Sequence, residues 1–191
     1  TASGPGARAA IGDRLMGITA FFLGHGSFAE ECLVLDDFAL RVPEKMDDAE
    51  AACFTIPFHT AHIGLVRRAA LAEGETLLVL GASGGTGSAA LQLGKALGAR
   101  VIAIASGLDK CNFCKQLGAD EVIDYRTTEF ASAVRDATDG RGADVIYDPV
   151  GGESFDAATR CISNEGRLLC ISFASGRWGE PRASHLVQNN Y

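Results

Sequence analysis

From residue 75 onward, short apolar runs alternate with stretches of helical periodicity, and this alternation limits the possible folds more than any other feature of the sequence. The run at residues 76–80 (TLLVL) leads into a glycine-rich turn. Residues 88–97 then place Ala90, Leu93 and Leu97 on one face, and Gly98 stands where a helix C-cap belongs. A second apolar run at 101–105 is followed by Leu108, Cys111, Cys114 and Leu117, three apart on one helical stripe, and then by Gly118. The third run is 121–125. After it Thr127 or Thr128 can cap a helix whose apolar face is Phe130, Ala133, Val134 and Ala137, and Asp139-Gly140 ends that helix. Strands at 143–147 and 167–173, with a helix from about 153 to 161 between them, complete the series. Strands joined through helices pair in parallel, because each right-handed crossover brings the chain back to the same end of the sheet. The fold class is therefore α/β, a doubly wound parallel sheet.

The first fifty residues follow another rule. IGDRLMG, GSFAEECLVL and FALRVPEK are short, turn-punctuated runs without helical periodicity, which predicts an antiparallel β segment outside the parallel sheet. Residues 47–70 between the two parts read as helices, broken near Pro57. The boundary is expected near Cys53, giving a β segment at 1–53 and the α/β domain at 54–191. There are no internal repeats or low-complexity stretches.

Charge and cysteine usage narrow the function classes. Among 191 residues, 17 basic side chains against 24 acidic ones leave a net charge of −7, which repels phosphate backbones and anionic headgroups, so neither nucleic acid nor membrane is an expected partner. No apolar run approaches the roughly 20 residues of a membrane span, and TASGPGARAA has none of the parts of a signal peptide. A cytoplasmic protein is expected. Cys32, Cys53, Cys161 and Cys170 are scattered singly, most among apolar neighbours, which predicts reduced, buried thiols. Cys111 and Cys114 have CxxC spacing, but His25, His59, His62 and His185 supply no matching second pair at ligand spacing, so both are expected on the buried face of a helix and no metal is expected.

The strongest local signal is LLVLGASGGTGSAALQLGKALGA, residues 77–99. Glycines between a buried strand and a helix N-terminus let backbone N–H groups approach a pyrophosphate, whose charge the helix dipole favours. The preceding strand, the following helix and a further strand about 20 residues on supply the context that the Rossmann dinucleotide fingerprint requires. Two registers fit: Ala82, Gly84 and Gly87 match GxGxxG with alanine first, and Gly81, Gly84 and Gly87 match GxxGxxG of short-chain reductases. Short-chain enzymes need a tyrosine with a lysine four places on, and Tyr125, Tyr147 and Tyr191 all lack one. An NAD site also wants an acid at the end of the second strand. Here that strand ends in Ala105-Ser106-Gly107 with Lys110 one turn beyond, so Ser106 and Lys110 suit a 2′-phosphate and the expected cofactor is NADPH. Asp109 argues the other way, although in a first helical turn a carboxylate also favours the dipole.

Taken in order, IGDRLMG, GSFAEE, PEK, EAA, Thr60-Ala61, GASGGTG, QLGKALGA, QLGADEVIDY and GRGADVIYDPVGG resemble the medium-chain dehydrogenase/reductase superfamily, over nearly the whole chain. The AxGGxG loop and LGADEVIDY resemble its zinc-free quinone oxidoreductase branch. The resemblance implies a remnant of an N-terminal, GroES-like catalytic β domain covering the nicotinamide end of the cofactor, and a Rossmann domain whose last strand lies beyond Tyr191. It implies that Ser83, Gly84, Gly85, Thr86 and Gly87 form the pyrophosphate turn, that Ser106 and Lys110 hold the 2′-phosphate, and that Tyr125 lies by the adenosine ribose. Val150, Gly151, Phe173 and Ala174 would line the nicotinamide, with Thr60 approaching the reactive ring. Tyr125 and Phe173 read equally well as core aromatics, and Thr60 as a residue bonding back within its helix. Gly24-His25-Gly26 lacks the glutamate of the zinc branch, so His25 is expected in a plain loop.

The implied activity is NADPH-dependent hydride transfer to a quinone or an α,β-unsaturated carbonyl, in a protein that dimerises at full length. The scaffold equally serves an enoyl-thioester reductase domain of a polyketide or fatty-acid synthase. A non-catalytic NADPH-binding interaction protein is the reading from another class. No catalytic acid or base stands out, which is consistent with a reaction that needs orientation and exclusion of water.

Overall fold

Every residue of strand β3 (Thr76–Val79) is buried, and so is all of β4 (Arg100–Ala105) after its first residue, which is the burial of strands covered on both faces. With β5 (Glu121–Asp124), β6 (Ala143–Asp148) and β7 (Ile162–Cys170) they form a parallel sheet of order β5-β4-β3-β6-β7. Alternate side chains enter two cores. On one face Leu77, Val79, Val101, Ala103, Val145 and Tyr147 pack against Ala61 and Leu65, against Ala89, Ala90 and Leu91 of helix α2 (Gly85–Ala96), and against Cys111 and Cys114 of α3 (Leu108–Gln116). On the other, Leu78, Ile102, Ile104, Ile123 and Ile146 pack against Phe130, Ala131 and Val134 of α4 (Phe130–Ala137) and Ala158 of α5 (Gly152–Ala158). Fully burying one such side chain contributes about 1.5–3 kcal/mol, so these two faces supply much of the driving force for folding.

This is a computed structural model, and it describes residues 3–191. The chain divides into one unit ending at Ile56 and another from Pro57 to Tyr191. In the first, β1 (Leu15–Thr19) pairs antiparallel with β2 (Val34–Arg41), as expected of a β segment separate from the sheet. Only the last two residues of GSFAEECLVL belong to β2. Helix α1 (Asp48–His62) follows, and α6 (Ala183–Asn189), which the sequence pattern does not announce, closes the chain. Among the described residues no helix is long and apolar enough to cross a membrane.

Several boundaries differ from the sequence expectation, each for a physical reason. Helix α1 is not broken near Pro57: the proline lies inside it, and the helix continues as a π-helical turn at Ile63–Arg68. One missing backbone N–H is offset by burial of Ala61 and Leu65 against the sheet. Helix α2 begins at Gly85 rather than residue 88, because the glycines themselves make its first turn. Neither Thr127 nor Thr128 caps α4. The cap is Glu129, whose carboxylate accepts the Ser132 N–H at 2.8 Å, while Thr127 Oγ1 donates to the Asp124 carbonyl. Strand β7 starts at Ile162 and bulges: Ala143 pairs with Ile162 but Val145 with Arg167, and Glu165 adopts a left-handed φ of 57°. In α3 the apolar stripe omits Leu108, which is exposed, and keeps Cys111 and Cys114 buried; of the single cysteines expected to be buried, Cys161 is, whereas Cys32 and Cys53 are exposed, and so is Cys170 at the end of the edge strand β7.

Candidate functional site

From β3 the chain winds outward through β4 to β5, then crosses back to β6 and β7 on the other side of β3. The helices after β3 and β6 therefore lie on opposite faces of the sheet, which makes the C-terminal ends of these two strands the switch point where such sheets bind ligands. The glycine turn stands at this switch point. Gly81 has a φ of 56°, and a Cβ added to it would lie 3.1 Å from the Val150 side chain. A Cβ at Gly87 would collide with the Gly81 carbonyl oxygen, so the missing side chain is what lets α2 sit close against the strand end. Gly84 and Gly85 are exposed, and no side chain caps the helix at Gly84. The N–H groups of Gly85, Thr86 and Gly87 lie in the first helical turn, where the helix itself offers no acceptor. Ser83 to Gly87 thus form one bare turn with a positive dipole end, the donor set that a diphosphate needs. The Pro57 ring approaches to 3.9 Å of the Cβ position at Gly85, and Thr60 lies three residues further along α1.

The C-terminal ends of β4 and β5 hold the second group. Ser106 is half-buried, and Lys110 and Tyr125 are exposed. Tyr125 is thus no core aromatic. The Asp124 carboxylate accepts the Gly107 N–H on one oxygen and the Arg126 N–H on the other, both at 3.0 Å, and Tyr125 N–H donates to the Ala105 carbonyl. This clamp sets Arg126 beside the strand end: its guanidinium Nη1 is 3.8 Å from where a Cβ at Gly107 would stand. Among the described residues neither Lys110 nor Arg126 forms an ion pair. Sequence reasoning passed over Arg126; the signal available was its place directly after Tyr125 at the end of a strand.

The third group is made by the turns after β6 and β7. The buried Asp148 carboxylate accepts the Val150 N–H at 2.8 Å and the Gly151 N–H at 2.9 Å. Ala174 N–H then donates to the Pro149 carbonyl at 3.1 Å and Ser175 N–H to the Val150 carbonyl at 2.9 Å. Val150, Gly151, Phe173 and Ala174 are brought together by this zipper, and Val150 touches the glycine turn as well. Burial raises the Asp148 carboxyl pKa while its two N–H partners work against the rise. Phe173 is 45% exposed and stacks on Trp178 with ring centroids 4.5 Å apart, so it too lies outside the core. Tyr147 is fully buried and among the described residues its hydroxyl has no partner; burial pushes its pKa up to about 12, so the phenol holds its proton at neutral pH. The three groups lie along one edge of the sheet, and β4 to β7 spans three strand spacings, about 14 Å.

Residues 85–187 match the family model described as Zinc-binding dehydrogenase. The chain is 35% identical over 180 residues to Quinone oxidoreductase-like protein 2 homolog of Nematostella vectensis, covering 94% of this chain and 48% of that protein. It is 36% identical to Prostaglandin reductase-3 of Bos taurus, covering 85% of this chain and 42% of that protein. A mycobacterial protein solved in complex with NADPH superposes with a TM-score of 0.89 at 31% identity, over 99% of this chain and 58% of that one. The chain spans about half the length of the curated relatives it matches.

The family description names zinc, and the side chains of this chain do not fit such a centre. Among the described residues no three His, Cys, Asp or Glu side chains gather as metal ligands. Cys111 and Cys114 face the sheet, packed in its apolar core, where burial raises both thiol pKa values, and among the described residues no other ligand side chains gather beside them. His25 is an exposed loop residue.

Proposed function

This chain belongs to the zinc-binding dehydrogenase family, as a quinone oxidoreductase-like member of the medium-chain dehydrogenase/reductase superfamily, and on that premise we propose that it is the NADPH-binding part of a reductase. The observation that carries the reading is the bare first turn of α2 at the switch point of the sheet. Its N–H groups at Gly85, Thr86 and Gly87 receive the diphosphate, with Ser83 and Gly84 shaping the approach. Ser106, Lys110 and Tyr125 receive the phosphorylated ribose at one end, which favours NADPH over NADH. Val150, Gly151, Phe173 and Ala174 receive the nicotinamide at the other, with Thr60 facing the ring.

The bound cofactor supplies a hydride, and the acceptor we assign is a quinone or an α,β-unsaturated carbonyl. The chain's own contribution is orientation. Asp148 holds Val150 and Gly151 through two N–H bonds, and the Pro149 and Val150 carbonyls hold the turn after β7, so both walls around the nicotinamide position are set before the ligand arrives. Asp148 is buried and engaged, and the Tyr147 hydroxyl is locked inside, so neither is the proton donor to a reduced acceptor. The same reading takes the enzyme to be cytoplasmic, with the β domain reaching to Cys53.

Calorimetric titration of the natural-length protein with NADPH and NADH, followed by NADPH-oxidation assays with quinones, enones and enoyl thioesters, tests this. Micromolar or tighter NADPH binding with turnover of a quinone or enone is expected. Binding without turnover of any acceptor would leave an NADPH-binding interaction protein instead, and turnover confined to enoyl thioesters would move the acceptor assignment.

A further inference from the structure

We propose that Arg126 is the residue by which this site selects a phosphorylated ribose, its guanidinium gripping the 2′-phosphate between the ends of β4 and β5. The inference rests on the reading of the switch point as an NADPH site, and it names a cation that the family resemblance did not assign. Strand register supplies the placement. Ala105 pairs with Asp124, so the two residues after each, Gly107 and Arg126, leave neighbouring strands side by side. Asp124 fixes that relation by accepting one N–H from each. Gly107 has a φ of 77° and no side chain, which leaves open the space the guanidinium overhangs.

The charges around this spot favour a dianion. Each Asp124 oxygen accepts one backbone N–H, which holds this carboxylate against the backbone and partly offsets its charge. Asp109 is exposed in the first turn of α3 and forms no ion pair with Arg126. Arg100, Arg135, Arg141, Arg160 and Arg167 each donate to a carboxylate or a carbonyl of the protein, whereas among the described residues Arg126, like Arg67, Arg68, Arg177 and Arg182, donates no side-chain hydrogen bond. A planar guanidinium left unengaged beside a glycine strand end can give two parallel N–H bonds to a phosphate, whereas Lys110 gives a point charge from a mobile stem. Arg126 therefore supplies the larger part of the preference and Lys110 the smaller.

The test uses the natural-length protein and four probes: NADPH, NADH, adenosine 2′,5′-bisphosphate and 5′-AMP. Arg126→Ala is expected to weaken NADPH and the bisphosphate roughly ten- to hundredfold, the range of a charged hydrogen bond, while NADH and 5′-AMP stay within about twofold. Arg126→Lys recovers part of the loss, and Lys110→Ala loses less than Arg126→Ala. Because Arg126 is exposed, melting temperatures of the variants should match the parent and separate lost contact from lost fold. If Arg126→Ala keeps the parent's NADPH preference, Arg126 has no such role although the NADPH site stands. If the parent itself binds NADH as tightly as NADPH, the cofactor reading fails and takes this proposal with it.

Discussion

Helices α2 and α4 both leave the parallel sheet at the C-terminal end of a strand, and they begin in opposite ways. Helix α4 satisfies its own start: Glu129 accepts the Ser132 N–H and also pairs with Arg160 at 2.9 Å. The Ser132 N–H, with help from Arg160, lowers the Glu129 pKa. Helix α2 begins at Gly84 with no side chain to accept its first N–H groups. The same dipole is thus neutralised internally in one case and left for an outside anion in the other. The lesson is that this site is made by what the chain withholds there; the turn after β6 spends its N–H groups on Asp148 and is a wall instead of an anion site.

The contrast can be broken most severely at Gly87. Gly87→Val places a side chain against the Gly81 carbonyl, so denaturant unfolding should show a loss of about 3 kcal/mol or more; unchanged stability would mean that α2 does not sit this close to the strand end. At Asp148, replacement by leucine orphans the Val150 and Gly151 N–H groups and should cost about 1–3 kcal/mol in the same measurement. Asp148→Asn keeps an acceptor oxygen and removes a buried charge. Since burial raises the Asp148 pKa, the parent loses stability relative to this variant as pH rises through the folded value, so the asparagine protein should match or exceed the parent at neutral pH and lose that advantage in acid. A smaller effect is expected where α2 is made to resemble α4. Gly84→Asp supplies a cap, at some crowding because the Gly81 oxygen lies 3.3 Å from the new Cβ, and it should lower NADPH affinity about tenfold with the melting temperature nearly unchanged. The smallest change is Glu129→Ala, about 0.5–1 kcal/mol in stability with no effect on cofactor titration. Because the Glu129 pKa is lowered in the folded protein, its contribution is present above the ordinary carboxylate range and disappears as pH falls through the folded value, so parent and variant should converge in acid.

The parts of the fold that rest on periodicity were legible without a structure. TLLVL and RVIAIA, buried on both faces, could only be central strands, and GASGGTG between a strand and a helix announced the turn that α2 leaves bare. Boundaries set by competition between local and tertiary forces were not legible. Pro57 should end a helix on its own, yet Ala61 and Leu65 reward its continuation. Two threonines looked like caps for α4, and a glutamate took the role because its carboxylate also reached Arg160, 31 residues away. The cysteine pair was readable as a helix face because its spacing is helical, although Leu108 at the start of the same stripe is exposed.

For the site, the amino-acid sequence by itself determined the glycine turn, since the glycines that permit it lie in one short segment and their conformational freedom is a local property. It also specified the order of strands along the chain, hence which turns emerge at the same end of the sheet. Only the tertiary structure decided that Gly107 and Arg126 stand together, that the Pro149 and Val150 carbonyls tie the turn after β7 to the turn after β6, and that Tyr147 is fully buried. Those relations depend on strand register and on packing between segments distant in sequence, and neither leaves a periodic trace in the residues that take part.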